Sequence, residues 1–269
     1  MRVISLGAGV QSTVIVLMAL RGDFDPAPDC AIFADTGWEP EGVYDNLERL
    51  KLLCRASRFP LYTISAGNIR SDVLDSVLAG KFRKVSMPLY LRDPVRDGRL
   101  RRSCTREYKI DPVRRKIREL LGLKKGQRVP KGTMVEQWLG ITTDEAHRTK
   151  PTQKKWLKNA YPLIDLNMSR NDCIQWCCDN GHPIPEKSAC IGCPYHASNY
   201  WVDMKKKQPE AWEDAVDFDE KIRKGKLPGV TGDAYVHRRC LPLKDIGETY
   251  AEGDQLSLFG EECEGICGT

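Results

Sequence analysis

The sequence predicts an α/β protein: a Rossmann-like parallel sheet flanked by helices, followed by a Cys-rich helical C-terminal extension. Three observations predict it. A short apolar start, Met1 to Ile4, runs through a glycine-containing turn straight into the apolar run Val14 to Leu20. A second apolar stretch, Cys30 to Asp35, ends in the polar turn Asp35-Thr36-Gly37-Trp38-Glu39 and is followed by a helical pattern from about Pro40 to Leu53. Cysteines then recur from Cys173 to the end of the chain. Strand, helix, strand with a polar turn at each carboxyl end builds a parallel sheet, and ligands bind at those ends. The expected division is a nucleotide-binding α/β domain over residues 1–165 and a Cys-rich extension over residues 166–269.

The first turn is Ser5-Leu6-Gly7-Ala8-Gly9-Val10-Gln11-Ser12-Thr13. Gly7 and Gly9 let the backbone bend where a side chain would clash. The helix beyond points its N–H groups at whatever occupies the turn, with Ser12 and Thr13 adding hydroxyl donors, which suits phosphate or sulfate. The pattern lacks the third glycine of a dinucleotide fingerprint and the Gly-Lys-Ser/Thr of a Walker loop. The plain alternative is a strand-to-helix turn with glycines for geometry and a serine cap.

Phe59 to Ile64 reads as a third strand, and Asn68 caps a helix through Val77 on which Ile69, Val73, Leu74 and Val77 share a face. Residues 80–100 read as a loop that stays mobile until substrate binds. A basic stretch follows: residues 92–118 hold eleven Lys/Arg against four Asp/Glu, a surplus of seven in a chain whose net charge is +5. That concentration suggests an anionic ligand, and the aromatic residues that would mark a single-strand nucleic-acid surface are thin there, with Tyr90 and Tyr108 the candidates. Val113 to Leu121 reads as a helix and Met134 to Ile141 as a strand ending in Thr142-Thr143-Asp144-Glu145-Ala146-His147-Arg148. Tyr161 to Asp165 reads as a short strand before a helix, Ser169 to Cys178. Trp201, Trp212 and Phe218 read as core, the Lys205–Lys207 run as a solvated helix end, and His237-Arg238-Arg239-Cys240 as phosphate contact or plain surface.

Ser5-x-Gly7-x-x-x-Gln11-Ser12 followed by Asp35-Thr36-Gly37 resembles the sulfonucleotide (adenylyl sulfate and phosphoadenylyl sulfate) reductases of the PP-loop, or adenine nucleotide alpha-hydrolase-like, group. The resemblance spans about residues 3 to 240 on short motifs. It implies that nucleotide phosphates or phosphosulfate meet Ser5, Gly7, Gly9, Gln11, Ser12 and a basic set of Arg101, Arg102, Arg106 and Lys109, while Asp35, Thr36 and Gly37 meet the nucleotide from the next strand end. Residues 140–148 are similar to the family's Gly-(Ile/Val)-Arg-x-x-Glu-(Ser)-x-x-Arg turn, with Thr142 in place of arginine, so Glu145 and Arg148 would line the same site. Iron–sulfur members carry Cys-Cys-x-x-x-Lys-x-x-Pro; here Cys104, Lys109 and Pro112 match, and Thr105 replaces the second cysteine.

Lys187-Ser188-Ala189-Cys190-Ile191-Gly192-Cys193-Pro194 carries a metal-type signal, two thiolates three residues apart with glycine between and proline ending the turn. One such pair is half a site. The family comparison completes a [4Fe-4S] cluster with Cys104 and, from the tail, Cys267. A local zinc site would instead recruit Cys173 and Cys177 or Cys178, with His182 and His196 as further candidate ligands, and a reduced or redox-active thiol pair needs no metal. Cys173 and Cys177 also fit the buried face of an amphipathic helix. Glu262-Cys263-Glu264-Gly265 resembles the family's mobile Glu-Cys-Gly tail, which makes Cys263 the candidate nucleophile.

With 269 residues the chain has room for a sizeable core. Its longest apolar run is too short to span a membrane, and its start lacks the marks of a signal peptide. These features predict a cytosolic protein, where eleven cysteines argue for metal or thiol chemistry over a disulfide framework. The expected activity is thiol- and cluster-dependent sulfur chemistry on a bound adenine nucleotide (adenylyl sulfate, phosphoadenylyl sulfate or ATP), with a thioredoxin-like reductant. The alternatives are an ATP-dependent sulfur transferase or desulfurase acting on a nucleic-acid base, and a non-catalytic nucleotide-binding partner protein. The ATP-splitting members usually carry Ser-Gly-Gly-x-Asp-Ser, where this chain has Val10 and Gln11.

Overall fold

The computed structural model describes residues 1–78, 85–93, 97–225, 227 and 230–247. The chain opens with strand β1 (Arg2–Leu6), helix α1 (Val10–Arg21), strand β2 (Cys30–Asp35), helix α2 (Glu41–Ala56), strand β3 (Leu61–Ser65) and helix α3 (Ile69–Leu78). Two short strands, β4 (Tyr90–Arg92) and β5 (Gly98–Arg99), precede a π-helical turn (Thr105–Ile110) that leads into α4 (Asp111–Leu120). Next come β6 (Val135–Leu139), a 3₁₀ turn (Thr143–Arg148), β7 (Leu157–Ala160), α5 (Pro162–Asp165) and α6 (Arg170–Asp179). The described chain ends with α7 (Ser198–Lys207), α8 (Pro209–Lys224) and β8 (Asp233–Tyr235), followed by a short 3₁₀ turn (Leu243–Asp245).

The main sheet has the order β3-β2-β1-β6-β7, and all four pairings are parallel. β1 and β2 carry near-continuous apolar runs because helices cover both faces, while the edge strands β3 and β7 are mixed. Alternate residues of β1 and β2 point to opposite faces: Ile4, Leu6, Ala31 and Phe33 join a core with α1, α2 and α6, while Val3, Cys30, Ile32 and Ala34 pack with Val113 and Ile117 of α4. The chain steps outward from β1 to β3 and then returns to β6 beside β1, so a crevice opens between the carboxyl ends of β1 and β6.

A second core gathers α3, α7, α8 and a three-stranded antiparallel sheet of order β5-β4-β8. Trp201, Trp212 and Phe218 are buried in it, as their spacing predicts. Two sequence expectations change. The stretch read as loop over 80–100 contains β4 and β5, strands of three and two residues that are too short to show alternation and find a partner in β8, far along the chain. Of the stretch read as a strand over Tyr161–Asp165, Pro162–Asp165 is a helix, with Pro162 in its first turn where a missing N–H costs nothing; the strand lies just before it, at β7. No helix among the described residues is long and apolar enough to cross a membrane.

Candidate functional site

The first βα turn and the end of β6 form a narrow cleft at the switch point, lined by Gly7, Gly9, Val10, Gln11, Ser12, Gly140, Arg170, Lys187 and Ser188. The first N–H groups of a helix have no partner within it, and the amino end of α1 opens here. The turn is held from inside. Ser12 Oγ accepts from Gly7 N–H (3.1 Å) and donates to Gly9 O (3.4 Å). Asn46 Nδ2 donates to Ala8 O and to Thr13 Oγ1, both at 2.9 Å. The hydroxyls expected to face an anion therefore stabilise the turn itself. The residue that takes a positive φ is Ala8 (61°), not either glycine. At Gly9 a Cβ would sit 3.4 Å from Ser188 N, an ordinary contact. Gly140 is needed for close approach: a Cβ would lie 2.8 Å from Ser12 N and 3.1 Å from Ser12 Cα.

Behind the cleft lies a buried carboxylate. Glu39 is 3 % exposed and accepts from Thr36 Oγ1 (3.1 Å), Lys109 Nζ (3.3 Å), Ser188 Oγ (3.3 Å) and Cys190 Sγ (3.8 Å). Thr36 Oγ1 is also 3.3 Å from Cys190 Sγ. Lys109, from the π-helical turn, supplies the positive charge that a buried carboxylate requires. Ile191 N–H donates to Trp38 O (2.9 Å), and Cys193 N–H donates to Cys190 O (3.0 Å), closing the thiol-bearing turn. His196 Nε2 lies 2.9 Å from Cys190 O, so that nitrogen carries a proton and donates. Ser188 faces both the cleft and Glu39, and two residues later the chain reaches Cys190.

The sequence-predicted residues distribute as follows. Gly7, Gly9, Gln11 and Ser12 line the cleft, and Ser5 lies in β1 just before it. Gln11 Nε2 donates to Glu145 Oε2 (3.1 Å), while Arg148 Nη1 donates to Glu145 Oε1 (2.6 Å), so these three come together. Asp35 Oδ1 accepts from Gly37 N–H (2.7 Å) and Tyr44 Oη (3.0 Å), which shapes the turn after β2. Gly37 takes φ +73° and passes Asn68 closely. Lys109 joins the Glu39 group, but its basic neighbours do not follow it. Arg102 Nε donates to Thr105 Oγ1 (3.1 Å), Arg106 pairs with Asp111 at the surface (3.3 Å), and Arg101 is exposed. The cations lining the cleft are Arg170 and Lys187, which no motif marks; only their place after a strand–turn unit and before Cys190 could have suggested them. Thr142, where the family pattern has arginine, is fully buried, and its hydroxyl has no hydrogen-bond partner among the described residues.

Of the proposed metal ligands, Cys104, Cys190 and Cys193 are described, while Cys267 and the candidate nucleophile Cys263 lie outside the described residues. Among the described residues no three His, Cys, Asp or Glu side chains converge where they could hold a metal ion. Cys190 points at a carboxylate and a threonine hydroxyl, and Thr105, at the second-cysteine position, holds Arg102. The described residues do not form the local zinc set. Cys173 and Cys177 pack against α1 in the first core, whereas Cys190 packs against the second. Burial pushes the Cys173 thiol up to about 12 and raises Cys177 as well, which leaves both thiols protonated.

The fold and cleft define a class: a parallel α/β protein with an anion-suited turn at its switch point and a thiol close behind. No protein-family model matches the chain, and no curated protein sequence matches it. Among solved structures, the U34-tRNA thiolase NcsA from Methanococcus maripaludis with its [4Fe-4S] cluster is similar at 14% identity and a TM-score of 0.39, over 81% of this chain and 70% of that one. Likeness at that level does not bear on function.

Proposed function

We propose that this chain is an enzyme that binds an adenine nucleotide, phosphate end at the Gly7–Ser12 turn, and carries out sulfur chemistry with the Cys190 thiol. One observation carries the reading: Ser188 lines the cleft and donates to Glu39, the carboxylate that Cys190 also faces. Arg170 and Lys187 offset the charge of a bound phosphate, and Gly140 leaves room for it. Glu39 is placed to take the Cys190 proton, with Lys109 holding the carboxylate in position. The thiolate then attacks the sulfur of a sulfonucleotide and expels the nucleotide, or takes the outer sulfur of a donor persulfide and expels the donor's thiolate.

Between the two sulfur reactions, transfer to an acceptor base driven by ATP is favoured over reduction of a sulfonucleotide. Thr142 and Thr105 replace an arginine and a cysteine of the reductase pattern, and Thr105 is engaged with Arg102. In the transfer reaction an acceptor oxygen attacks the α-phosphorus of ATP and expels pyrophosphate; the outer sulfur of a Cys190 persulfide then attacks the activated carbon and expels AMP, and a dithiol reductant cleaves the resulting disulfide, freeing the thiolated base and the Cys190 thiolate as it is itself oxidised to a disulfide. Purified protein given ATP and RNA is expected to release pyrophosphate. Sulfite from adenylyl sulfate and a thioredoxin-type reductant, without pyrophosphate from ATP, would replace this reading with the reductase. An anaerobic visible spectrum with iron analysis reports whether a cluster assembles.

A further inference from the structure

We propose that the free edge of the main sheet, along β7 and the strap of chain that precedes it, binds a single RNA strand and takes one base into a pocket beside Tyr161. The proposal deepens the transfer reading above by placing its acceptor, and rests on that reading for its purpose; the observations that carry it are separate. Among the described residues β7 pairs only with β6, so its other edge faces away from the sheet. Residues 149–156 run back beside that edge and are tied to it at both ends. Lys150 O accepts from Asn159 Nδ2 (2.9 Å) and from Tyr161 Oη (2.8 Å), and Tyr161 Oη accepts from Lys150 N–H (2.9 Å). Leu157 N–H donates to Lys154 O (3.0 Å), and Val135 N–H to Trp156 O (2.9 Å).

Strap and strand enclose an open pocket of about 400 Å³, large enough for a nucleotide unit. Pro151, Leu157, Asn159 and Tyr161 line it, together with the exposed Lys150 and Lys158. Asn159 Nδ2 is engaged with Lys150 O, while its Oδ1 accepts nothing among the described residues and is left for an N–H donor on a base. Lys154 and Lys155 are exposed on the same strap, and residues 146–161 contain no Asp or Glu. Among the described residues the ammonium groups of Lys150, Lys154, Lys155 and Lys158 have no hydrogen bond or ion pair. The acid that strand register places beside Lys158 is Glu136, and Arg2 already pairs with it (3.1 Å). Lysines on the helices are placed otherwise: Lys51, Lys116, Lys207, Lys221 and Lys224 each have an acidic partner.

Ammonium groups gathered along one edge without counter-charges repel one another and draw a polyanion. Charge alone would suit any polyanion. A pocket with a tyrosine wall and an unengaged amide oxygen adds a seat for an unpaired base, which a single RNA strand offers and an acidic peptide does not. Lysines on a sheet edge also discourage edge-to-edge pairing, but here the strap already covers β7, and Lys150, Lys154 and Lys155 lie on the strap itself. The pocket adjoins the nucleotide cleft. The 3₁₀ turn Thr143–Arg148 is joined to that cleft through Glu145 and Gln11 (3.1 Å), and the next residue, Thr149, lines the pocket. A strand lying along this edge is thereby led to the carboxyl ends of the sheet, where the cleft opens.

The test is fluorescence anisotropy of the full chain with a labelled oligouridylate, joined to photo-crosslinking with the same strand carrying 5-iodouridine. Lys154→Ala/Lys155→Ala is expected to weaken binding about tenfold and to lower the logarithmic salt slope by about 1.4, two phosphates at about 0.7 each. Irradiation is expected to link the strand to Tyr161 or to residues 149–156. Lys124→Ala/Lys125→Ala, two exposed lysines beyond α4 whose ammonium groups are also without ion pairs among the described residues, is the charge-matched control and is expected to change affinity by less than about twofold. The proposal is overturned if no RNA binds at low salt, if a duplex binds as tightly as the single strand, or if the control pair costs as much as Lys154 and Lys155. It is also overturned if inorganic polyphosphate competes as well as RNA, which marks a bare polyanion site, or if crosslinks fall only on other segments. A Lys154→Ala/Lys155→Ala protein that aggregates while its soluble fraction binds RNA unchanged would show that the lysines guard the edge, and would likewise overturn it. Pyrophosphate release from ATP and RNA with no crosslink at this edge removes the site and keeps the transfer reading; RNA linked here without pyrophosphate release keeps the site and removes that reading.

Discussion

Gly140 carries the tightest constraint in the cleft. A methyl group there would meet backbone atoms of Ser12 at 2.8 and 3.1 Å, and backbone has no rotamer to give. Gly140→Ala is therefore expected to push the amino end of α1 away from β6, weaken nucleotide binding by about tenfold or more and cost about 2 kcal/mol of stability; titration with a fluorescent adenine nucleotide and a denaturant curve read both. Unchanged affinity would place the ligand elsewhere. Glu39 sets a second residue-scale test. Lys109→Met leaves a buried carboxylate without its cation and is expected to destabilise by about 3 kcal/mol, while adding Glu39→Gln recovers most of the loss. The glycine-containing turn, Gln11 and Ser12 were legible from the sequence because strand, turn and helix are contiguous. Gly140, Arg170 and Lys187 were not, because their role arises where separate segments meet. Ala8 shows the same limit: its left-handed conformation is enforced by Asn46, 38 residues away.

Elements with local signals match their sequence patterns. Asn68 Oδ1 accepts from the N–H groups of Arg70 and Ser71 at 3.0 Å, which starts α3 where expected. Ser169 caps α6 in a reciprocal box with Asp172, and two donors are satisfied by four adjacent residues. Ser169→Ala is expected to cost about 1 kcal/mol, seen as a lower denaturant midpoint with an unchanged slope; no loss would mean that packing of Cys173 and Cys177 against α1 alone holds this helix. The elements that escaped sequence reading lack such signals. Strands β4 and β5 are too short for a period, and their sheet is completed by β8. The turn before α4 is π-helical because Pro112 has no N–H to return to the Tyr108 carbonyl, which frees the backbone to widen. That widened turn carries Lys109 to Glu39, while Arg102 faces Tyr195 and Arg106 lies at the surface. A run of positive charge in the sequence thus serves two different places.

At the scale of the molecule, β1, β2 and β3 were legible because each is followed by its own helix, whereas β7, reached from β6 through a 3₁₀ turn, was not, and the second core was visible only as scattered aromatics. Trp38 joins the two. It follows β2, its indole Nε1 donates to Asp214 Oδ2 (2.5 Å), and its ring packs on Phe218 with centroids 4.7 Å apart. Arg70 ties the same corner together through Asp214 (2.8 Å) and Asp217 (2.6 Å). On its other contact the ring lies directly against Gly192: a Cβ there would be 2.0 Å from Trp38 Cη2. The glycine between Cys190 and Cys193 is thus fixed by packing, whatever the thiols do. Gly192→Ala is expected to displace the indole, lower stability by about 2 kcal/mol and shift tryptophan emission to the red. Because the clash is with one ring, Trp38→Leu should relieve it, and the double variant should be more stable than the sum of the two single losses implies. Additive losses would show that Gly192 is held by its own turn and not by the indole. Rescue with the turn restored, followed by unchanged alkylation of Cys190, would show that Trp38 sets the position of the thiol relative to Glu39 only through this contact.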